Sequence, residues 1–234
     1  MSQRSKNFVL AGVLLAAAGL AAVLIAASVT GAKDEPATTA VHGVAATEAL
    51  LEGIPQDANV LGRPDAPVTI VEYADYQCPY CASWALDTLP AIVDEYVRAG
   101  KVRIVFQGIA ILGDDSVTAL EAAVSAGVQD KLWNVGELLF HNQGAEGSGW
   151  VTDDLLRDIG ASVAGLDIDA MMDGRDAPEV AAAMAEAQGA AQAAGVSATP
   201  SFEIGTTGGQ MTLLQGAQPV DEFRRVLDGL LQDS

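Results

Sequence analysis

Val68-Thr69-Ile70-Val71-Glu72-Tyr73-Ala74, followed three residues later by Cys78-Pro79-Tyr80-Cys81, is the stretch on which the reading of this chain turns. The apolar run has the length of a strand. Val68, Ile70 and Glu72 fall on one face of it, and Val71 and Tyr73 on the other. Both faces are mainly apolar, as expected of a central strand covered on both sides. Glu72 would then be a carboxyl drawn out of water. The two cysteines are the only ones in 234 residues. Three apart on a helix, their sulfurs share a face about one turn apart. A helix starting here would place Cys78 at its N-terminus, where free backbone N–H groups and the helix dipole stabilise a thiolate. Pro79 suits the first turn, because its missing N–H costs nothing there.

Three uses of such a pair compete. A disulfide placed for stability gains little from a four-residue loop, about 2 kcal/mol against nearly 5 for about 100 residues. A zinc site would need two further ligands, and only His42 and His141 remain among the histidines. Redox chemistry needs nothing more than the pair itself.

The N-terminus bears on the compartment. Phe8 to Val29 is free of charge and about 33 Å long as a helix, enough for a bilayer core of about 30 Å. Arg4 and Lys6 precede it, so the positive-inside rule leaves residues 1–7 as a cytoplasmic stub and exports the rest. The expectation is a signal anchor at 8–29, with secretion after signal cleavage as the alternative, since Thr30-Gly31-Ala32 is a weak cleavage site. Outside the cytoplasm a cysteine pair persists in oxidised form. The formal charge of −19 argues against nucleic acid as a partner.

Residues 30–57 read as a flexible linker, with a short helical piece at Thr47–Leu51. The turn cluster Gly62-Arg63-Pro64-Asp65-Ala66-Pro67 sets the start of the first domain strand. After the cysteines a helix is expected as far as Arg98, kinked at Pro90, and then a strand at Lys101–Phe106. Strand, helix, strand implies parallel neighbours with a right-handed crossover. About 114–195 is helical. There Thr152 is an N-cap with Val151 and Leu156 as a staple, Pro178 opens a helix and Gly195 closes it. Trp133, Phe140 and Trp150 read as packing for these helices. Ser201–Gly205 and Gln210–Leu214 form a hairpin about Thr206–Gly209, and a helix from Pro219 to about Leu231 ends the domain.

In this order, with Thr199-Pro200 just before Ser201-Phe202-Glu203-Ile204, the chain resembles the DsbA-like thiol–disulfide oxidoreductases of the thioredoxin superfamily. The likeness covers about residues 58–232, within a domain taken as 58–234. It implies an α/β thioredoxin-like fold with an inserted helical subdomain, preceded here by one transmembrane helix. By position it also implies catalytic roles. Cys78 is the attacking sulfur, Cys81 the resolving one, and Pro79-Tyr80 lies between them. Glu72 is the acid beneath the resolving cysteine, able to exchange its proton. Pro200 matches the family's cis-proline, with Thr199 before it to pair with a substrate strand.

The implied reaction introduces disulfides into exported cysteine-containing proteins, with re-oxidation by a quinone-linked membrane oxidoreductase and without an organic cofactor or metal. A reductase or isomerase on the same scaffold, and a redox-inactive membrane-tethered binding module, remain the alternatives. Three features depart from the usual family pattern. Pro-Tyr resembles the glutaredoxin dipeptide, Gln77 stands where an aromatic residue is common, and Gly108-Ile109-Ala110-Ile111-Leu112 replaces a stretch that often carries proline.

Overall fold

A sheet with strand order β1 (Gln56–Asp57), β2 (Val60–Leu61), β4 (Val102–Gly108), β3 (Val68–Ala74), β5 (Ser201–Thr206), β6 (Met211–Gln215) organises residues 40–232, the part of the chain that the computed structural model describes. The expected anchor at 8–29, the expected stub before it and residues 30–39 lie outside the described residues. Among the described residues, no helix is long and apolar enough to cross a membrane.

The central strand β3 (Val68–Ala74) has the bounds expected from its apolar run. It pairs in parallel with β4 (Val102–Gly108) and antiparallel with β5 (Ser201–Thr206), which pairs in turn with β6 (Met211–Gln215). The register aligns Glu72 with Phe106 and Phe202, and Ile70 with Ile104 and Ile204. Because side chains alternate, these six share one face. Trp84 from helix α2 (Pro79–Asp87) and Phe223 from the last helix (Val220–Gln232) pack on it, with Trp84 and Phe202 ring centroids 4.6 Å apart and Phe202 and Phe223 5.0 Å apart. On the opposite face, Tyr73 and Ile109 pack with Ala191 and neighbouring residues of the long helix Pro178–Ala194.

The stretch taken as a linker up to residue 57 is ordered structure over its described part. Helix α1 (Val44–Leu51) begins three residues before the expected piece, and Leu51 and Ile54 are buried. Strand β1 (Gln56–Asp57) then pairs with β2 (Val60–Leu61), which joins the sheet at β4. A sparse apolar pattern concealed this, since only one or two side chains per turn reach the core.

The helix after the cysteines also differs from expectation. α2 stops at Asp87, and α3 (Leu89–Ile92) runs into a π turn at Val93–Val97. The break falls at Thr88 and not at Pro90. Pro90 removes the N–H that Leu86 O would have accepted, and it biases the residue before it, so the disturbance appears upstream.

The helical block comprises α4 (Asp114–Gly127), α5 (Leu132–His141), α6 (Asp153–Ala161), α7 (Ile168–Asp173) and α8 (Pro178–Ala194). Its predicted ends hold. Thr152 Oγ1 accepts from the Leu155 N–H at 3.2 Å, Val151 and Leu156 are buried, and Gly195 closes α8 with φ at +74°. Trp133 and Phe140 are buried as packing, the first edge-on to Phe106 and the second 4.9 Å from the Tyr76 ring. The final helix is α9.

Candidate active site

Strand β3 ends at Ala74, and the four residues Asp75, Tyr76, Gln77 and Cys78 carry the chain into α2. Cys78 is the residue that caps the helix, with extended backbone (φ −74°, ψ 118°) and Pro79 behind it in the first turn. Its carbonyl accepts from the Cys81 and Ala82 N–H groups, both at 3.1 Å. The sulfur therefore sits where the sequence placed it, over the open end of a helix. Both cysteines are free thiols. Cys78 is 5% exposed and Cys81 fully buried.

The two sulfurs differ in acidity. Cys78 is lowered to about 6, chiefly by the hydrogen bond from Cys81. The Thr199 hydroxyl and the Cys81 and Tyr80 N–H groups add to this against the cost of burial. Cys81 is pushed well above the usual thiol range, first by burial and then by Cys78. One sulfur is thus held ready as a thiolate and its neighbour as a thiol.

Thr199-Pro200 arrives from the far side of the helical block, and its peptide bond is cis. The Thr199 carbonyl lies 3.4 Å from Cys78 Sγ. Residues 121 apart in sequence thereby meet at one atom. Tyr80 is 68% exposed and points away from the core. Glu72 is 1% exposed, on the face under α2, and its charge acts on Cys81. Burial raises its carboxyl well above the ordinary range, with a further push from Glu137.

Three residues that pattern reasoning passed over shape the site. Asp75 is buried and gathers the turn: its carboxylate accepts from the Gln77 N–H at 2.8 Å, the Ile111 and Leu112 N–H groups at 2.9 and 3.1 Å, and Ser116 Oγ at 2.6 Å. Gln143, just past α5, donates to the carbonyls of Tyr76 and Cys78 at 2.7 and 3.1 Å. It fixes the cysteine loop to the helical block. Glu137 is 3% exposed on α5. Asp75 and Gln143 carry no periodic signal, but Glu137 did. It lies four residues after Trp133 and three before Phe140, hence on the apolar face of its helix. Gln77, noted for not being aromatic, is also a connector. Its amide donates to Leu112 O at 2.7 Å and to Ser116 Oγ at 3.1 Å, and accepts from the Gly147 N–H at 2.7 Å.

The acidity of Cys78 carries a measurable consequence. In the reduced protein, thiolate absorbance should titrate with a midpoint near pH 6 and vanish in Cys78→Ser. A lowered folded pKa stabilises the reduced fold above the unfolded thiol value, about 8.5, and that gain is lost as pH falls through the folded value. The raised Cys81 acts only at the alkaline end, where an unfolded thiol would ionise. Between about pH 6 and 8.5 Cys78 therefore governs the difference. At pH 7 it amounts to about 1.4 kcal/mol, trimmed to about 1 by solvent screening of a sulfur close to the surface. The melting temperature of the reduced form, measured against that of the oxidised form, should fall as the pH is lowered through 6.

Comparison with known proteins agrees with this geometry. Residues 56–229 match the thioredoxin family, and the chain belongs to it. A probable disulfide bond formation protein D of Bacillus cereus is 37% identical over 101 residues, which is 42% of this chain and 47% of that protein. The chain thus spans about half the length of the curated relatives it matches. Among solved structures, oxidised BdbD from Bacillus subtilis superposes with a TM-score of 0.67 at 27% identity, covering 74% of this chain and 92% of its own. Wolbachia pipientis alpha-DsbA1 shares the fold, with a TM-score of 0.66 at 21% identity over 80% of this chain and 96% of its own. The expected thioredoxin-like fold with DsbA-like structural neighbours is the fold found.

Proposed function

We propose that this member of the thioredoxin family is a thiol–disulfide oxidoreductase that introduces disulfides into exported proteins through Cys78 and Cys81. The observation that carries the reading is the placement of the pair, with Cys78 capping α2 and its sulfur 3.4 Å from the Thr199 carbonyl, and Cys81 buried behind it. A substrate thiolate attacks Cys78 Sγ in the oxidised pair. The S–S bond breaks, and its electrons go to Cys81 Sγ, which takes up a proton. A second substrate thiolate then attacks the substrate sulfur of the mixed disulfide and expels Cys78 as a thiolate. The substrate loses two electrons and the pair gains them. Cys78 leaves readily because its thiolate is stable, which favours the reduced enzyme and so the oxidation of the substrate.

The other assignments belong to the same reading. Glu72 supplies the Cys81 proton, Thr199 and Pro200 receive the substrate strand beside the sulfur, and the exposed Tyr80 meets the substrate surface. Residues 8–29 anchor the chain to the membrane with the domain outside. A quinone-linked membrane partner restores the disulfide.

The reduction potential of the pair tests the direction of exchange. A value near −120 mV is expected of an oxidant, whereas one near −270 mV would reassign the protein as a reductase. A pair that glutathione buffers could neither open nor close would leave only a binding module.

A further inference from the structure

β3 and α5 turn two carboxyls into one space. Glu72 and Glu137, 1% and 3% exposed, line a cavity of about 10 Å³ together with Tyr76 and Trp133. That is near the lower limit for one water. Glu137 also lines a separate, open cleft of about 270 Å³ beneath α1, where Thr47, Asp94 and His141 contribute to the walls. His141 follows Glu137 by one helical turn, so the two share a face. Glu137 is the residue common to both spaces.

Three buried polar atoms around it have no hydrogen-bond partner among the described residues: Glu72 Oε1 and Tyr76 Oη at the cavity, and Thr47 Oγ1 at the cleft. Each such atom is unfavourable when left dry, and water bridging the cavity and the cleft would satisfy them. The approach is close, since Tyr76 Oη lies 2.6 Å from where a β-carbon on Gly136 would stand. Only glycine at 136 leaves room for the phenol beside the carboxyls.

We propose that Glu137 is a positioning residue for proton exchange, linking Glu72, and through it the Cys81 sulfur, by water to the cleft beneath α1. The assignment rests on the oxidoreductase reading above. When the Cys78–Cys81 bond opens, the Cys81 thiolate takes the Glu72 proton, Glu72 takes the Glu137 proton, and solvent in the cleft re-protonates Glu137. One proton is consumed, and re-oxidation returns it along the same path.

The electrostatics agree with two carboxyls that hold protons. Burial brings Glu137 to about 8. Burial also raises Glu72 well above the ordinary carboxyl range, with a further push from Glu137. The ionisable groups around Glu137 are Glu72 and Tyr76 at the cavity, and Asp94 and His141 at the cleft. His141 is itself lowered by burial and by His42. α1 and α2 present only uncharged side chains to the cleft, and α4 presents none to either space.

The test combines carboxyl ¹³C titration with the pH profile of reduction by dithiothreitol, in the wild type, Glu137→Gln and Glu137→Asp. In the wild type, the Glu137 carboxyl resonance is expected to titrate near pH 8 and to move between the oxidised and reduced forms. Glu137→Gln should lower the Glu72 midpoint. It should also erase the inflection in the thiolate-corrected rate and slow reduction below it about tenfold, less than the loss of a direct general acid. Glu137→Asp should restore the inflection, which a merely structural role would not require. A Glu137 resonance indifferent to redox state, or an unchanged profile in Glu137→Gln, overturns the proposal. If Glu137→Gln does not fold, the wild-type titration decides alone. A pair that dithiothreitol cannot open at all would instead overturn the oxidoreductase reading.

Discussion

Cys78→Ser should abolish dithiol oxidation, and Cys81→Ala should leave the protein covalently joined to its substrates. The two outcomes follow from the inequality of the sulfurs. With Cys78 gone, the remaining thiol is fully buried and held in its protonated form. It can neither be reached nor ionise near neutrality, so a loss of 10³-fold or more is expected, on the order seen when a sole nucleophile is removed. With Cys81 gone, Cys78 loses its chief hydrogen-bond donor. Its acidity should weaken, yet Thr199 and the helix N–H groups remain, so it still attacks substrate disulfides. No neighbouring sulfur is left to resolve the adduct. Non-reducing electrophoresis of the purified variant, incubated with a disulfide-bonded exported protein, should show a higher-mass species that dithiothreitol removes. A Cys81→Ala protein that yields no adduct, or a Cys78→Ser protein with wild-type turnover, would contradict the assignment.

The largest effect on stability is expected at Asp75, where Asp75→Ala should destabilise the fold by about 3–5 kcal/mol. The carboxylate accepts three backbone N–H groups and the Ser116 hydroxyl in a buried setting. Alanine would strand all of them, and each unmet buried donor costs about 1–3 kcal/mol. Partial compensation by water keeps the sum below the simple total. The loss should not be confined to stability. Asp75 ties the turn ahead of Cys78 to the loop after β4, and the Asp75 N–H itself bonds Cys81. Chemical denaturation should therefore show a lower midpoint with an unchanged slope, and thiolate titration of the folded variant should broaden or shift. Asp75→Asn keeps half of the acceptor capacity and should fall between the two.

Most of the framework was legible before any coordinates. A seven-residue apolar run fixes β3 because alternation on two covered faces has no other comfortable solution. Caps such as Thr152 and Gly195 are local chemistry, so their sequence signals transfer directly to structure. The cysteine spacing placed the reactive sulfur at a helix mouth for the same reason. The β1–β2 pair was missed, and the first helix was expected only from Thr47, because their burial comes from docking onto the rest of the domain. The break at Thr88 came earlier than expected because a proline disturbs the turn before it.

The sequence by itself thus determined the place of the cysteine pair at a helix start, the strand that leads into it, and the order of elements that brings Thr199-Pro200 back toward it. Those features depend on neighbours within a turn or a strand, where covalent geometry and hydrogen-bond need leave few choices. Only the tertiary structure decided which distant groups complete the site: Thr199 against Cys78, the Asp75 carboxylate on the 111–116 loop and helix, Gln143 on the cysteine loop, and Glu137 facing Glu72. Each pairing sets the acidity or position of a reactive atom through a contact across the chain. Desolvation and Coulomb forces act through space, and they reach no residue until folding has placed it.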